Sequence, residues 1–234
     1  MIKATYGTGS SVMMNVGEKS VTSEHGVVTS LAYGISGKVN YVLEGNINYT
    51  GATIKWLVDD VQLISSSKES EEWARKANPE DHCYLVPAFT GLNAPYFDSK
   101  AEAILCGMTR TTGKAEICRA AVDSIAYQIT DILKVMEAVS GINMAELRVD
   151  GGPTGNAYLM QFKSDMAGIP VRVPQMEELS GIGPAYAAGM ALGVYDETVF
   201  DREAKAYYRP EAATEEIEKK YAGWKAAVKC VLNK

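Results

Sequence analysis

Two glycine-bearing segments hold the residue types that can bind anions or flat ligands. The first is Tyr6-Gly7-Thr8-Gly9-Ser10. In a tight turn, Gly7 and Gly9 let backbone N–H groups approach an oxyanion, and the Thr8 hydroxyl adds a donor. The spacing and following lysine of a Walker P-loop are absent, and a Gly-x-Gly between strands, read alone, is usually just a hairpin turn. The second is Asp150-Gly151-Gly152-Pro153-Thr154-Gly155-Asn156, which leaves a strand-like run and opens a helix-like one. Backbone dipoles and absent side chains at Gly151 and Gly152 make room there for a flat or anionic ligand. The same run also reads as a strand-to-helix turn with Asn156 as its cap and Asp150 as a loop-stabilising carboxylate instead of a magnesium partner. Gly51 stands where a strand gives way to a helix and signifies little by itself. No Ser/His/Asp arrangement and no local pair of acids points to acyl transfer or glycoside hydrolysis.

The elements that must position these segments follow from periodicity. Val12–Val16, Val27–Tyr33 and Val39–Leu43 are β-branched or alternating runs, joined in part by the turn Ser36-Gly37-Lys38, and predict an antiparallel meander. Ala52–Leu63 has helical spacing, a charged segment surrounds Trp73, and Tyr84–Phe89 reads as a strand. From Gly113 onward helices and strands alternate. Lys114–Val139 aligns Ile117, Ala121, Ile125, Ile129, Ile132 and Met136 on one face, and Gly141 stops it. Leu147–Val149 and Val171–Val173 are short strands, and Asn156 caps a helix that runs to Ala167. Gly183–Gly193 predicts a small-residue helix able to sit very close to its neighbours. Thr214 is the predicted cap of a last helix whose acids lie early and whose lysines lie late, as the helix dipole favours. The whole predicts a single α/β domain over residues 1–234, a mixed sheet flanked by helices.

Composition narrows the function classes. The chain has 234 residues, 47% of them hydrophobic, enough to bury a core without metals or disulfides. A net charge of -6, spread along the chain, lacks the concentrated basic face of a nucleic-acid binder. No apolar run approaches the ~20 residues of a membrane span and no signal peptide opens the sequence, so neither membrane nor nucleic acid is an expected partner. Cys83, Cys106, Cys118 and Cys230 lack paired spacing and read as small core residues in a reducing cytoplasm. His25 and His82 are the only histidines, too few beside those cysteines for a zinc site.

Taken in order, Tyr6-Gly7-Thr8-Gly9, Pro87-Ala88-Phe89-Thr90-Gly91-Leu92, Arg148-Val149-Asp150-Gly151-Gly152 and Tyr221-Ala222-Gly223-Trp224-Lys225 resemble the C-terminal half of the glycerol kinases. Between them, Ala103–Asp123 looks like the second signature of the FGGY carbohydrate kinase family. Gly107-Met108 is followed there by Glu116-Ile117 and then Ala120-Ala121-Val122-Asp123. The resemblance covers nearly the whole chain. It implies a ribonuclease-H-like fold, as in actin, with ATP and Mg2+ as cofactors and a sugar or polyol bound between two domains. Carried across residue by residue, Thr8, flanked by Gly7 and Gly9, would meet the transferring end of the nucleotide and Gly51 would lie near the phosphates. Gly152 and Asn156, with Gly151 beside them, would hold adenosine, and Asp150 would reach Mg2+ indirectly. Two positions depart from the glycerol kinase pattern. Lys55 replaces a usual glutamine at the nucleotide edge, and Ser11 replaces a phenylalanine that packs on the glycerol carbons.

The resemblance also places the catalytic aspartate just upstream of the Gly-Thr-Gly hairpin, so no catalytic residue is expected among these 234 positions. The N-terminal domain that supplies most sugar contacts is likewise expected outside them. Phosphoryl transfer needs positioning and charge stabilisation from both sides of a cleft. The chain alone is therefore expected to bind ATP weakly without phosphorylating sugars, to expose an apolar cleft face to which Thr90–Phe97 contributes, and to self-associate as a homo-oligomer. The alternative readings are a non-catalytic nucleotide-binding regulatory module of actin-like fold and an actin-like ATPase without a sugar substrate.

Overall fold

The computed structural model describes residues 1–24, 26–35, 37–175, 181–200 and 204–232. His25 and Ser36, the first residue of the predicted Ser36–Lys38 turn, lie outside the described residues. The chain opens with β1 (Ile2–Tyr6), in which buried Ile2, Ala4 and Tyr6 alternate with half-buried Lys3 and Thr5. Gly7–Gly9 turn it into β2 (Ser10–Gly17), its antiparallel partner. Next come β3 (Val28–Ile35) and β4 (Lys38–Ile47), a hairpin. The predicted meander is corrected here. β4, not β3, pairs with β2, and β3 is left as the outer strand. The reason lies in burial: β4 supplies buried Val42, Leu43 and Ile47, whereas β3 is exposed along almost its whole length.

Helices α1 (Gly51–Asp59) and α2 (Glu69–Lys76) follow, then the short pair β5 (Tyr84–Val86) and β6 (Ile104–Cys106). Helix α1 stops before Leu63, and Gln62 takes a left-handed φ of 54° in the turn beyond it. The 27-residue α3 (Lys114–Ser140) is the central helix and ends on left-handed Gly141. Beyond it run β7 (Leu147–Asp150), α4 (Ala157–Ala167), β8 (Val171–Pro174), α5 (Ile182–Ala191), β9 (Ala204–Tyr208) and α6 (Thr214–Lys229). The main sheet is mixed, in the order β3-β4-β2-β1-β7-β8-β9, with parallel pairing only at β1–β7 and β7–β8. β1, β6 and β9 add to the predicted strands; each has five residues or fewer, too short for alternation to mark it off from a loop.

Helix α3 is buried on every side from Ala120 to Leu133, so it is more than a one-faced amphipathic helix. It packs against β2 and β4 and also against α1, α2 and α4. Each large apolar side chain it buries, such as Ile125, Ile129, Ile132 and Met136, stabilises the fold by about 1.5–3 kcal/mol. Burial on all sides also forces its polar residues to find partners. Asp131 is the clearest case. Its Oδ1 accepts from the Tyr221 hydroxyl at 2.6 Å and its Oδ2 from Tyr96 at 2.7 Å and from Trp224 Nε1 at 2.7 Å. Lys225 Nζ completes the set at 3.3 Å. The C-terminal α6 is thereby docked onto the core, with the Trp224 ring stacked on Tyr127 at 5.2 Å.

Three smaller expectations are corrected. The cap of α6 is Ala213, whose side chain makes no capping bond, and Thr214 is already the first helical residue. Helix α5 is mostly exposed; of its two glycines, Gly189 packs closely against the Tyr195 ring and Gly183 has no described neighbour within 4 Å of where its Cβ would stand. All four cysteines are free, but only Cys83 and Cys118 are buried, while Cys230 is exposed. No described helix is long and apolar enough to cross a membrane.

Candidate functional site

Three strand-to-helix or strand-to-strand bends meet along one rim of the sheet. The β1–β2 hairpin is tied to the start of α1 by backbone bonds. Gly51 N donates to the Gly7 carbonyl at 3.0 Å, and Thr50 N and Ala52 N donate to the Thr8 carbonyl at 3.0 Å each. A buried hydroxyl pair, Ser10 and Thr50 at 2.7 Å, closes the same junction. The approach is so close that a Cβ on Gly51 would lie 2.6 Å from the Gly7 oxygen.

The third bend leaves β7. Gly151 has a φ of 97°, and a Cβ there would sit 1.9 Å from the Tyr6 carbonyl, so only glycine lets the β7 turn pass the end of β1. A 3-10 turn, Gly152–Gly155, follows and delivers Asn156 to the N-cap of α4. Asn156 Oδ1 accepts from Leu159 N at 2.9 Å, as predicted for a cap, and its Nδ2 donates to Ser70 Oγ at 3.4 Å.

Between these bends lies a cleft of about 950 Å³. Gly7, Gly51, Lys55, Gly152 and Asn156 all line it, so five of the eight residues singled out in the sequence for nucleotide binding share one space. Its floor is apolar, from Ile54 and Val58 of α1, Val122 and Ile125 of α3, and Leu159 of α4. Thr8 and Gly9 are not in the lining. Thr8 is exposed at the hairpin apex beside it, and Gly9 packs toward the Ile47 carbonyl at the end of β4. Gly151 lies beneath the rim as the hinge of its turn. Lys55 is 76% exposed and meets Asp59 at 3.7 Å, a pair loose enough to exchange for a ligand anion.

Asp150, at the end of β7, is fully buried. Lys3 Nζ lies 2.9 Å from its Oδ2, yet neither carboxylate oxygen accepts an aligned hydrogen bond among the described residues. The Tyr6 hydroxyl, which belongs to a cleft residue, is buried and likewise unpartnered among the described residues, and burial pushes its pKa above the usual phenol range. It therefore stays protonated and can donate. Ser11 sits on β2 opposite Thr5, its hydroxyl also buried without a partner among the described residues. Thr90–Phe97 is pinned to β4 by Ala94 N donating to the Asn46 carbonyl, with Leu92 and Ala94 buried and Phe97 exposed.

One side of the cleft has no signal in the sequence. Ser67, Lys68, Ser70 and Glu71, at and before the start of α2, form the wall beside the start of α4. The segment reads as an ordinary charged helix start, and its place beside Asn156 is visible only once α2 packs across α3 onto α4.

This arrangement has known counterparts. The model of the FGGY family of carbohydrate kinases, C-terminal domain, matches residues 2–192. The chain belongs to that family. The FGGY domain is 46% identical over 236 aligned positions to a glycerol kinase of Petrotoga mobilis, covering 100% of the chain and 47% of that protein. It is 44% identical over 235 positions to a glycerol kinase of Bacillus velezensis, covering 99% and 47%. Among solved structures, Plasmodium falciparum glycerol kinase with ADP superimposes with a TM-score of 0.92 at 34% identity, over 100% of this chain and 47% of that one. A ligand-bound xylulose kinase from Lactobacillus acidophilus gives a TM-score of 0.82 at 17% identity, a likeness of fold alone. The FGGY domain thus has the actin-like ATPase fold expected from its sequence, and it spans about half the length of the curated relatives it matches.

Proposed function

We propose that this chain, residues 1–234, is one domain: the nucleotide-binding half of an ATP-dependent kinase that passes the γ-phosphoryl group to a hydroxyl of a sugar or polyol, glycerol or a related compound. The observation that carries the reading is the convergence of Gly7, Gly51, Lys55, Gly152 and Asn156 on one cleft with an apolar floor. A flat nucleoside suits the floor of Ile54, Val122, Ile125 and Leu159, while phosphates suit the bends at Gly7 and Gly51, where no side chain intervenes. Thr8 at the hairpin apex is the donor nearest the transferring phosphate, and Gly9 and Gly151 fix the two bends that frame it. The glycerol kinase names of the relatives favour a small polyol. Ser11, in place of a phenylalanine, removes an apolar wall and so relaxes the selection for a three-carbon polyol.

Magnesium supplies charge neutralisation on the phosphates, and in this reading it enters with ATP. Asp150, buried at the end of β7 with Lys3 Nζ 2.9 Å from its Oδ2 and no partner for Oδ1 among the described residues, would take an indirect role toward that ion. The sugar and the base that deprotonates it belong to a partner domain, across a cleft that closes over both substrates. The reading extends to a cytoplasmic enzyme.

Thermal melting with and without Mg·ATP tests the nucleotide half of the proposal. A ligand that binds only the folded state stabilises it by about 2.7 kcal/mol at a hundredfold excess over its Kd. The midpoint is expected to rise with Mg·ATP and not with Mg2+ alone; an unchanged midpoint at millimolar ATP would contradict a preformed pocket.

A further inference from the structure

Three helices, α1, α2 and α4, present their N-termini to this cleft; the first turn of α2 carries its own acids, Glu69, Glu71 and Glu72, and the ends of α1 and α4 are treated differently. A helix N-terminus carries partial positive charge and unpaired N–H groups, the ordinary place for an anion. At α1 the first turn contains no acidic residue and the leading amides already donate to carbonyls, Gly51 N to Gly7 and Ala52 N to Thr8, so what this end offers an anion is the helix dipole and Lys55 one turn further on. At α4 a carboxylate from another element is already in place. Glu71 of α2 accepts from Ala157 N through Oε2 at 3.1 Å, while Asn156 Oδ1 takes Leu159 N. Arg75 holds the other oxygen of Glu71 with Nε at 3.1 Å and Nη2 at 2.8 Å, and its guanidinium lies 5.8 Å from the Tyr158 ring of α4. The Glu71 side chain is 29% exposed and lines the cleft beside Ser70 and Asn156.

We propose that Glu71 is a specificity-determining residue: a resident anion that fills the α4 end of the cleft, so that this end admits only an uncharged nucleoside portion and the phosphates are directed to the α1 end. The inference rests on the nucleotide reading above and adds to it a ligand class, adenosine 5′-phosphates whose ribose hydroxyls are unmodified. A second phosphate on the ribose 2′ or 3′ oxygen would meet the Glu71 carboxylate across a half-buried cleft, where charge repulsion is screened less than in water. The other charged residues lining the cleft are Lys55, Asp59 and Lys68. Lys55 is engaged with Asp59, and the cation that pairs with Glu71 is Arg75.

Calorimetric titration of the full chain at fixed ionic strength tests this, with ADP compared against ADP bearing an added 2′- or 3′-phosphate. The unaltered protein is expected to bind the added-phosphate ligands at least tenfold more weakly than ADP. Glu71→Gln, which keeps the shape and an acceptor for Ala157 N, should shrink that ratio severalfold while shifting the ADP Kd much less. Arg75→Gln, which removes the counter-ion and leaves the carboxylate, should widen it. Opposite movements of one ratio are not produced by a merely structural role, and the second variant still decides the matter if the first fails to fold. An unchanged ratio in a folded variant, or equal affinity of the unaltered protein for both ligand types, overturns the inference while leaving the nucleotide reading intact. Absence of ADP binding to the unaltered protein overturns that reading, and the inference with it.

Discussion

The amide of Gly51 donates to the carbonyl of Gly7 at 3.0 Å, which joins the first turn of α1 to the β1–β2 hairpin across more than forty residues of intervening sheet. The bond exists because neither residue has a side chain to hold the two backbones apart. Gly51→Ala would place a methyl group 2.6 Å from the Gly7 oxygen, and backbone atoms on both sides leave it nowhere to go. The variant is expected to lose about 1–3 kcal/mol of stability and to bind ADP at least tenfold more weakly. Urea denaturation and calorimetry on the same sample measure both.

Asn156 has two tasks that substitution can separate. As the cap of α4 its Oδ1 accepts from Leu159 N, and Asn156→Ala should cost about 1 kcal/mol through that bond alone. Asn156→Asp keeps an acceptor and hence most of the stability. It replaces the amide donor with a second negative charge beside Glu71, so ADP affinity is expected to fall at least as far as in the alanine variant. An aspartate variant that binds ADP normally would remove Asn156 from the ligand contacts.

Asp131 organises the C-terminal helix. Asp131→Ala leaves the hydroxyls of Tyr96 and Tyr221 and the indole N–H of Trp224 without their acceptor, all at once. A loss of about 3–5 kcal/mol is expected, measured by chemical denaturation, with Asp131→Asn milder because it retains one acceptor oxygen.

Asp123 gives a pH dependence whose sign is fixed. Burial is the main cause that raises its pKa from 3.8 to about 7, opposed by the Tyr158 hydroxyl donating at 2.9 Å and by the charges of Arg119 and Lys220. The folded state therefore holds a proton that the unfolded state releases between these two values. This contribution to stability is fully present below pH 3.8 and is lost as pH rises through about 7. Each tenfold difference in proton affinity between the two states corresponds to about 1.4 kcal/mol, so the loss is of the order of a few kcal/mol. Asp123→Asn cannot ionise and still accepts from Tyr158. Its stability relative to the unaltered protein should rise between pH 4 and 8 and then level off, as followed by denaturant midpoints across that range; a constant difference would contradict the assignment.

Much of this molecule can be read from its residues, and the exceptions have physical causes. The glycines of the Gly7–Gly9 hairpin, Gly51 and the Gly151–Gly152 bend are legible because close backbone approach demands that residue type, and Asn156 because a helix start needs a cap. The strand order around β3 is not legible: local alternation is the same whether β3 or β4 lies next to β2, and only the burial of Leu43 and Ile47 against the core decides. Glu71 and Ser70 escape a sequence reading for a similar reason, since nothing local marks an exposed-looking helix start that packs beside another helix's N-terminus. The run Tyr221–Lys225 supports the family resemblance, but its work is structural. Tyr221, Trp224 and Lys225 converge on Asp131, and Gly223 makes way for the Tyr84 hydroxyl, 2.2 Å from where a Cβ would stand.

The orientation of bound nucleotide is tested most directly by a crystal structure of this chain soaked with ADP. Density for adenosine is expected over Ile54, Val122 and Leu159 beside Asn156, with the diphosphate running toward Gly7 and Gly51. Density in the reverse orientation, with phosphates at the start of α4, or bound ADP anywhere outside this cleft, would contradict it.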